Sequence, residues 1–132
     1  MKVGVFELAT QQIAAAQTAQ ALTPILDLDG MQAVTLIASL AYGAAGTSVA
    51  AVVQTSFDGG SIWVDVARFD FTLASATKVA NLNGKLSKAV TAYAALSSEG
   101  VLDGVLGDRL RCVVTSVGVY TDTVLSVRAS VR

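Results

Sequence analysis

From residue 25 onward, apolar and polar positions alternate with a period of two, the spacing of strands buried on one face. Ile25, Leu26 and Leu28 form a short apolar run closed by Asp29-Gly30. Val34, Leu36, Ala38, Leu40 and Tyr42 then alternate with Ala33, Thr35, Ile37 and Ser39. Beyond a glycine turn at 43–46, Val49, Ala51, Val53 and Phe57 alternate with Ala50, Val52, Gln54 and Ser56. The two halves around that turn predict a hairpin. Ile62, Val64 and Val66 share a face opposite Trp63 and Asp65, whereas Phe69 and Phe71 continue in the opposite phase. A bulge near Ala67-Arg68 reconciles the two phases. Lys78 to Leu82 reads as a strand ended by an Asn83-Gly84 turn. Lys85 to Leu96 supports two periods: Leu86, Ala89, Val90 and Tyr93 on a helix face, or an alternating strand from Ala89. The all-β surroundings favour the strand. Glu99 to Asp108 carries Gly100, Gly104 and Gly107 and reads as a loop long enough to be an interaction surface.

The clearest alternation is at the end. Leu110, Cys112 and Val114 oppose Arg109, Arg111 and Thr115. After a turn around Tyr120-Thr121-Asp122, Leu125, Val127, Ala129 and Val131 oppose Ser126, Arg128, Ser130 and Arg132. Residues 1–24 are different. Phe6, Ala9, Ile13 and Ala16 make a thin helical stripe, and Pro24 ends any helix before it. The same residues also suit an extended arm over a neighbour. The pattern therefore predicts an all-β protein: an antiparallel β-sandwich of jelly-roll or immunoglobulin-like kind over 25–132, with about eight strands, preceded by an N-terminal arm or short helix over 1–24.

The stretch Gln54 to Asp65, QTSFDGGSIWVD, carries the strongest local signal. Asp58-Gly59-Gly60 between two β-rich runs marks a tight hairpin turn, because glycine accepts positive φ. Ser56, Asp58, Gly60 and Trp63 fit an Asp-box, Ser-x-Asp-x-Gly-x-x-Trp, with Ile62 where threonine is usual. In that motif the carboxylate accepts backbone N–H groups of its own turn and the indole packs beneath. Asp-boxes shape turns in many β-proteins, so the structural reading outweighs a ligand site.

Composition narrows the chemistry. The 132 residues suit one domain. Apolar residues make up 53%, charged residues only 14%, and the net charge is −1. Nothing in that balance points to nucleic acid, and so charge-poor a surface suits a subunit that hides area against neighbours, a homo-oligomer among them. There is no histidine, which removes Ser-His-Asp and Cys-His catalysis and histidine metal ligands. Cys112 stands alone and lies on an apolar face, a small core residue and not a nucleophile. The opening MKVGVFELATQQ lacks a signal peptide's apolar core. Gly30 to Phe57 holds no charge, but polar residues and the glycine turn interrupt it, so no membrane span is expected. Asp27, Asp29 and Gly30 open like a calcium loop without the later acidic ligands. No metal, cofactor or enzymatic activity is expected. Asp65 and Asp70 form the only acidic pair near the central hairpin. Arg109, Arg111, Arg128 and Arg132 are expected on one outer face, as a solvated surface or a basic patch touching a partner's acidic groups.

The segments LDLDGMQAVTL, VVQTSFDGGSIWVDVARFDF and GVLGDRLRCVVTSVGVYTDTVLSVRA, in that order, resemble a group of small tailed-phage and prophage virion structural proteins. The resemblance covers 25–132 and brings no catalytic motif. It implies a head decoration or minor capsid protein that cements the major capsid lattice, found in the virion and assembled in the host cytoplasm, with the phage major capsid protein or other virion subunits as partners. Two alternatives remain: a head–tail connector or tail ring subunit, and a glycan- or receptor-binding module of a tail or head fibre. For the last, Trp63, Tyr93 and Tyr120 are the available aromatic platforms.

Overall fold

The computed structural model describes residues 3–132, and these contain strands and no helix. In chain order the strands are β1 (Gly4–Gln12), β2 (Gln17–Ala21), β3 (Ala33–Ala41), β4 (Ala44–Ala45), β5 (Ser48–Ser56) and β6 (Trp63–Phe71). They are followed by β7 (Ala76–Asn83), β8 (Gly100–Val101), β9 (Arg109–Val117), β10 (Tyr120–Thr121) and β11 (Val124–Val131). One antiparallel sheet has the order β1-β11-β3-β7 and the other β2-β9-β5-β6-β8. A small β4–β10 ladder stands at a corner. The two main sheets lie in a sandwich-like arrangement around one core. Its buried residues come from both: Val34, Leu36, Leu125 and Val127 from the first, Val49, Val53, Leu110 and Val114 from the second.

Without the two-residue strands β4, β8 and β10, the pairing is nested. The first long strand pairs with the last (β1 with β11), β2 with β9, β3 with β7, and β5 with β6 at the centre. The long strands β3, β9 and β11 obey the period-two rule: in β9 Leu110, Cys112, Val114 and Ser116 are buried and the residues between them are not. In β6 the phase changes as the sequence predicts. Val53 faces Ala67 but Gln54 faces Asp65, so Val66 is the extra residue of a bulge. It sits one position before the expected Ala67-Arg68, and both Val66 and Ala67 turn into the core.

Four expectations require correction. Where an arm or short helix is expected over residues 1–24, β1 and β2 instead run as strands, one closing each sheet, and residues 1–2 lie outside the described residues. β1 pairs with β11, and β2 with β9. Ile13 between them is fully buried, and its N–H reaches Thr123 O at 2.8 Å. A boundary at residue 25 thus separates nothing in the structure, since β1 and β2 finish the sheets that the later strands begin. Alanine and glutamine favour helix locally, yet tertiary pairing with β11 and β9 decides the outcome.

The hairpin expected across the 43–46 glycine turn does not form either. β3 and β5 lie in different sheets. The chain turns the corner there through β4 on β10, where the Tyr120 ring covers Gly46 so closely that a Cβ would strike it. The short run Ile25–Leu28 contributes a single bridge, Ile25 to Leu110, and no strand. The strand favoured between Lys85 and Leu96 is also absent: the segment has no regular secondary structure and no ladder partner among the described residues.

Candidate functional site

The β5–β6 hairpin presents the predicted turn in atomic detail. The hydroxyl of Ser56, itself buried, donates to Asp58 Oδ1 at 2.9 Å and accepts the Gly60 N–H at 2.9 Å. The same Asp58 oxygen accepts the Ile62 N–H at 2.9 Å. That backbone bond, then the Ser56 hydroxyl and further turn N–H groups, holds the Asp58 carboxyl below its ordinary range. Gly59 and Gly60 take φ of 75° and 95°, a region that admits glycine freely. Trp63 Nε1 donates to Gly60 O at 2.9 Å, so the indole props the turn it follows. From β9, Arg109 Nη1 reaches Gly59 O at 3.0 Å, fastening the turn to the neighbouring strand.

Beside the turn, a polar chain crosses three strands in register. Arg111, Gln54 and Asp65 face one another across β9, β5 and β6. Arg111 Nε donates to Gln54 Oε1 at 2.8 Å, and Gln54 Nε2 donates to Asp65 Oδ1 at 2.8 Å. The second oxygen of Asp65, a residue only 6% exposed, accepts the Leu96 N–H at 3.0 Å, and its own N–H reaches the Tyr93 hydroxyl at 2.8 Å. The guanidinium of Arg111 stacks over the Trp63 ring with 4.2 Å from Cζ to the ring centre. Partial burial makes that guanidinium a weaker base than usual. The row satisfies the polar groups it holds, so it acts as a brace that fixes the hairpin and the segment around 93–96.

The sequence-predicted arginine cluster does not assemble. Arg109 and Arg111 belong to β9 in one sheet, whereas Arg128 belongs to β11 in the other, with Arg132 just beyond its end. Alternation reveals which side of a strand faces inward but not which sheet the strand joins. Three of the four have internal partners. Arg109 pairs with Asp108 at 3.3 Å, Arg111 with Gln54 as described, and Arg128 with Glu7 at 3.1 Å.

Asp65 and Asp70, the acidic pair of the sequence, are separately engaged. Asp65 is held by Gln54 and Leu96, and Asp70 takes Arg68 Nε at 2.9 Å. Among the described residues no group of three His, Cys, Asp or Glu is placed to hold a metal ion. Cys112 is buried, which pushes its thiol up to about 12 and leaves it protonated at neutral pH. Of the three aromatic platforms, Tyr120 is 2% exposed and meets Tyr42 edge-on, Trp63 is covered on one face by Arg111, and Tyr93 stays open to solvent. No helix of the described residues is long and apolar enough to cross a membrane.

One feature escaped the sequence reading. An apolar groove of about 310 Å³ opens between residues 88–94 and a wall formed by Phe57, Val64, Leu102 and Val105. Phe57, counted with the inward positions of β5, is 60% exposed at its edge. Phase gave no clue, since Phe57 continues the inward positions Val49, Ala51, Val53 and Thr55 and is exposed only because the turn begins where β5 ends. Comparison of the chain with family models, with curated proteins and with solved structures returned no match.

Proposed function

We propose that the chain is a structural subunit of a bacteriophage particle, a head decoration or minor capsid protein, and that its two sheets form a jelly roll. The observation that carries the reading is the nesting of strand pairs, first with last and so inward to β5–β6. A long antiparallel hairpin rolled into two facing sheets produces this order, and jelly rolls recur in viral capsid and lectin domains. An immunoglobulin-like order, with consecutive strands paired at its first edge, does not nest in this way. The outer face of the β1-β11-β3-β7 sheet adds support. Thr35, Ile37 and Ser39 stand beside Thr77, Val79 and Asn81, with Arg128 and Glu7 as an ion pair in the same rows. A face so poor in charge loses little when water is removed from it.

On this reading the protein acts by added contact area. Each copy seated across neighbouring shell subunits contributes interface that heat or internal pressure must break before the shell opens. The lectin use of the same architecture is less favoured, because Tyr120 is buried and one face of Trp63 is covered. Imaging particles that carry a labelled copy of the chain tests the assignment. Density at regular positions on the outer shell is expected; density confined to the tail, or none, contradicts a decoration role.

A further inference from the structure

The segment from Ala89, which can alternate as a strand, joins no ladder among the described residues. Every side chain from Lys85 to Ala95 is exposed. The segment is fastened at its ends: Lys85 N–H donates to Asn83 Oδ1 at 3.0 Å, Leu96 N–H to Asp65 Oδ2 at 3.0 Å, and Leu96 O accepts Arg68 Nη1 at 2.9 Å. Between those anchors, the backbone of 87–95 makes no hydrogen bond among the described residues. No residue of the segment has a positive φ, so none sits in the left-handed region that would block pairing. It also holds Val90 wholly in water, at 106% of the reference exposure, beside the apolar groove and the exposed Phe57.

We propose that residues 88–94 form the contact of a two-fold homodimer in which each copy supplies an antiparallel strand to the other. Three features favour a second copy of this chain as the occupant. With the axis on Thr91, Lys88 faces the partner's Ala94, so no lysine meets another lysine across the ladder. Larger side chains meet small ones: Val90 faces the partner's Ala92, and Tyr93 faces the partner's Ala89. Thr91 meets its own copy, a favourable cross-strand pair. The contact is isologous and closes with two copies, so it does not propagate into a fibre. The ladder satisfies backbone groups that are now solvated and covers Val90, while the groove beside Phe57 and Val64 receives apolar side chains at the contact. The pairing stands on these residues alone and does not depend on a place in a virus particle.

Sedimentation velocity of the full chain over a range of concentrations tests the dimer. A concentration-dependent shift from monomer to dimer is expected; because successive N–H groups of a strand point to opposite sides, one of Thr91→Pro and Ala92→Pro removes an N–H at the centre of the ladder and abolishes it. A second measurement places the axis. Cys112 is buried, so Thr91→Cys presents the one reactive thiol and oxidises to a covalent dimer. Its rate exceeds that of Lys85→Cys about a hundredfold, because paired thiols share a local concentration far above that of free collision. A chain that sediments as a monomer throughout, Thr91→Pro and Ala92→Pro variants that both dimerise like the parent, or equal cross-linking by the two cysteine variants overturns the proposal.

Discussion

Arg111 and Trp63, from different strands, meet with the guanidinium carbon 4.2 Å from the centre of the indole ring, and the contact ties the turn of the β5–β6 hairpin to β9. The indole is half-buried and also donates to Gly60 O. Trp63→Ala should therefore destabilise the fold by about 2 kcal/mol, less than the ~3–5 kcal/mol of a fully buried tryptophan. Arg111→Met keeps much of the covering side chain but loses the bond to Gln54, and should cost about 1 kcal/mol. Urea unfolding of both variants and of the double variant measures the pair. Strictly additive losses would show that the stack contributes nothing.

The turn also has a pH signature. The Asp58 carboxyl is held below its ordinary value of 3.8 by the Ile62 N–H and its neighbours. A depressed carboxyl adds stability above the unfolded-state pKa, and that stability fades as pH falls through the folded-state value. The advantage of the parent protein over Asp58→Asn should be constant from neutral pH down to about 4 and shrink below it. Thermal melts between pH 6 and 2 read the difference. A gap that stays constant through the acid range would mean that the charge on Asp58 has no part in the turn.

The N-terminal strands are integral to both sheets, so removing residues 1–23 should do more than weaken an attachment. It takes Leu8, Ala9 and Ile13 from the core and uncovers the edges of β11 and β9. The truncated chain should lose its cooperative thermal transition. A truncated chain that melts cooperatively near the parent temperature would show that the sheets close without β1 and β2.

The corner between the sheets offers a sharper probe. Gly46 has φ of 79° and lies against the Tyr120 ring. Gly46→Val imposes backbone strain and a ring clash together and should cost at least ~2 kcal/mol. Gly59→Val, at φ 75° with open space around it, isolates the strain alone and should cost less. Comparing the two by urea unfolding tests whether Tyr120 is the wall of that corner; equal losses would say it is not.

The period-two alternation made the long strands legible, and the phase break between Val66 and Phe69 located the bulge to within one residue. Sheet membership was not legible. The same inward positions serve a hairpin or a crossover, so β3–β5 and β9–β11 read as neighbours although each pair spans both sheets. That ambiguity is what gathered Arg109, Arg111, Arg128 and Arg132 into one apparent cluster. In the brace, Trp63 and Asp65 stood out in the sequence, but Gln54 and Leu96 did not. Their roles arise from cross-strand register and from a distant backbone N–H, neither of which leaves a mark on local spacing.

The proposed role in a particle is tested most directly by the stability of the shell itself. Particles assembled without this chain should release their genome at a lower temperature than complete ones, and adding the purified chain should restore the higher value in proportion to the copies bound. Release at the same temperature with and without bound chain would contradict the account.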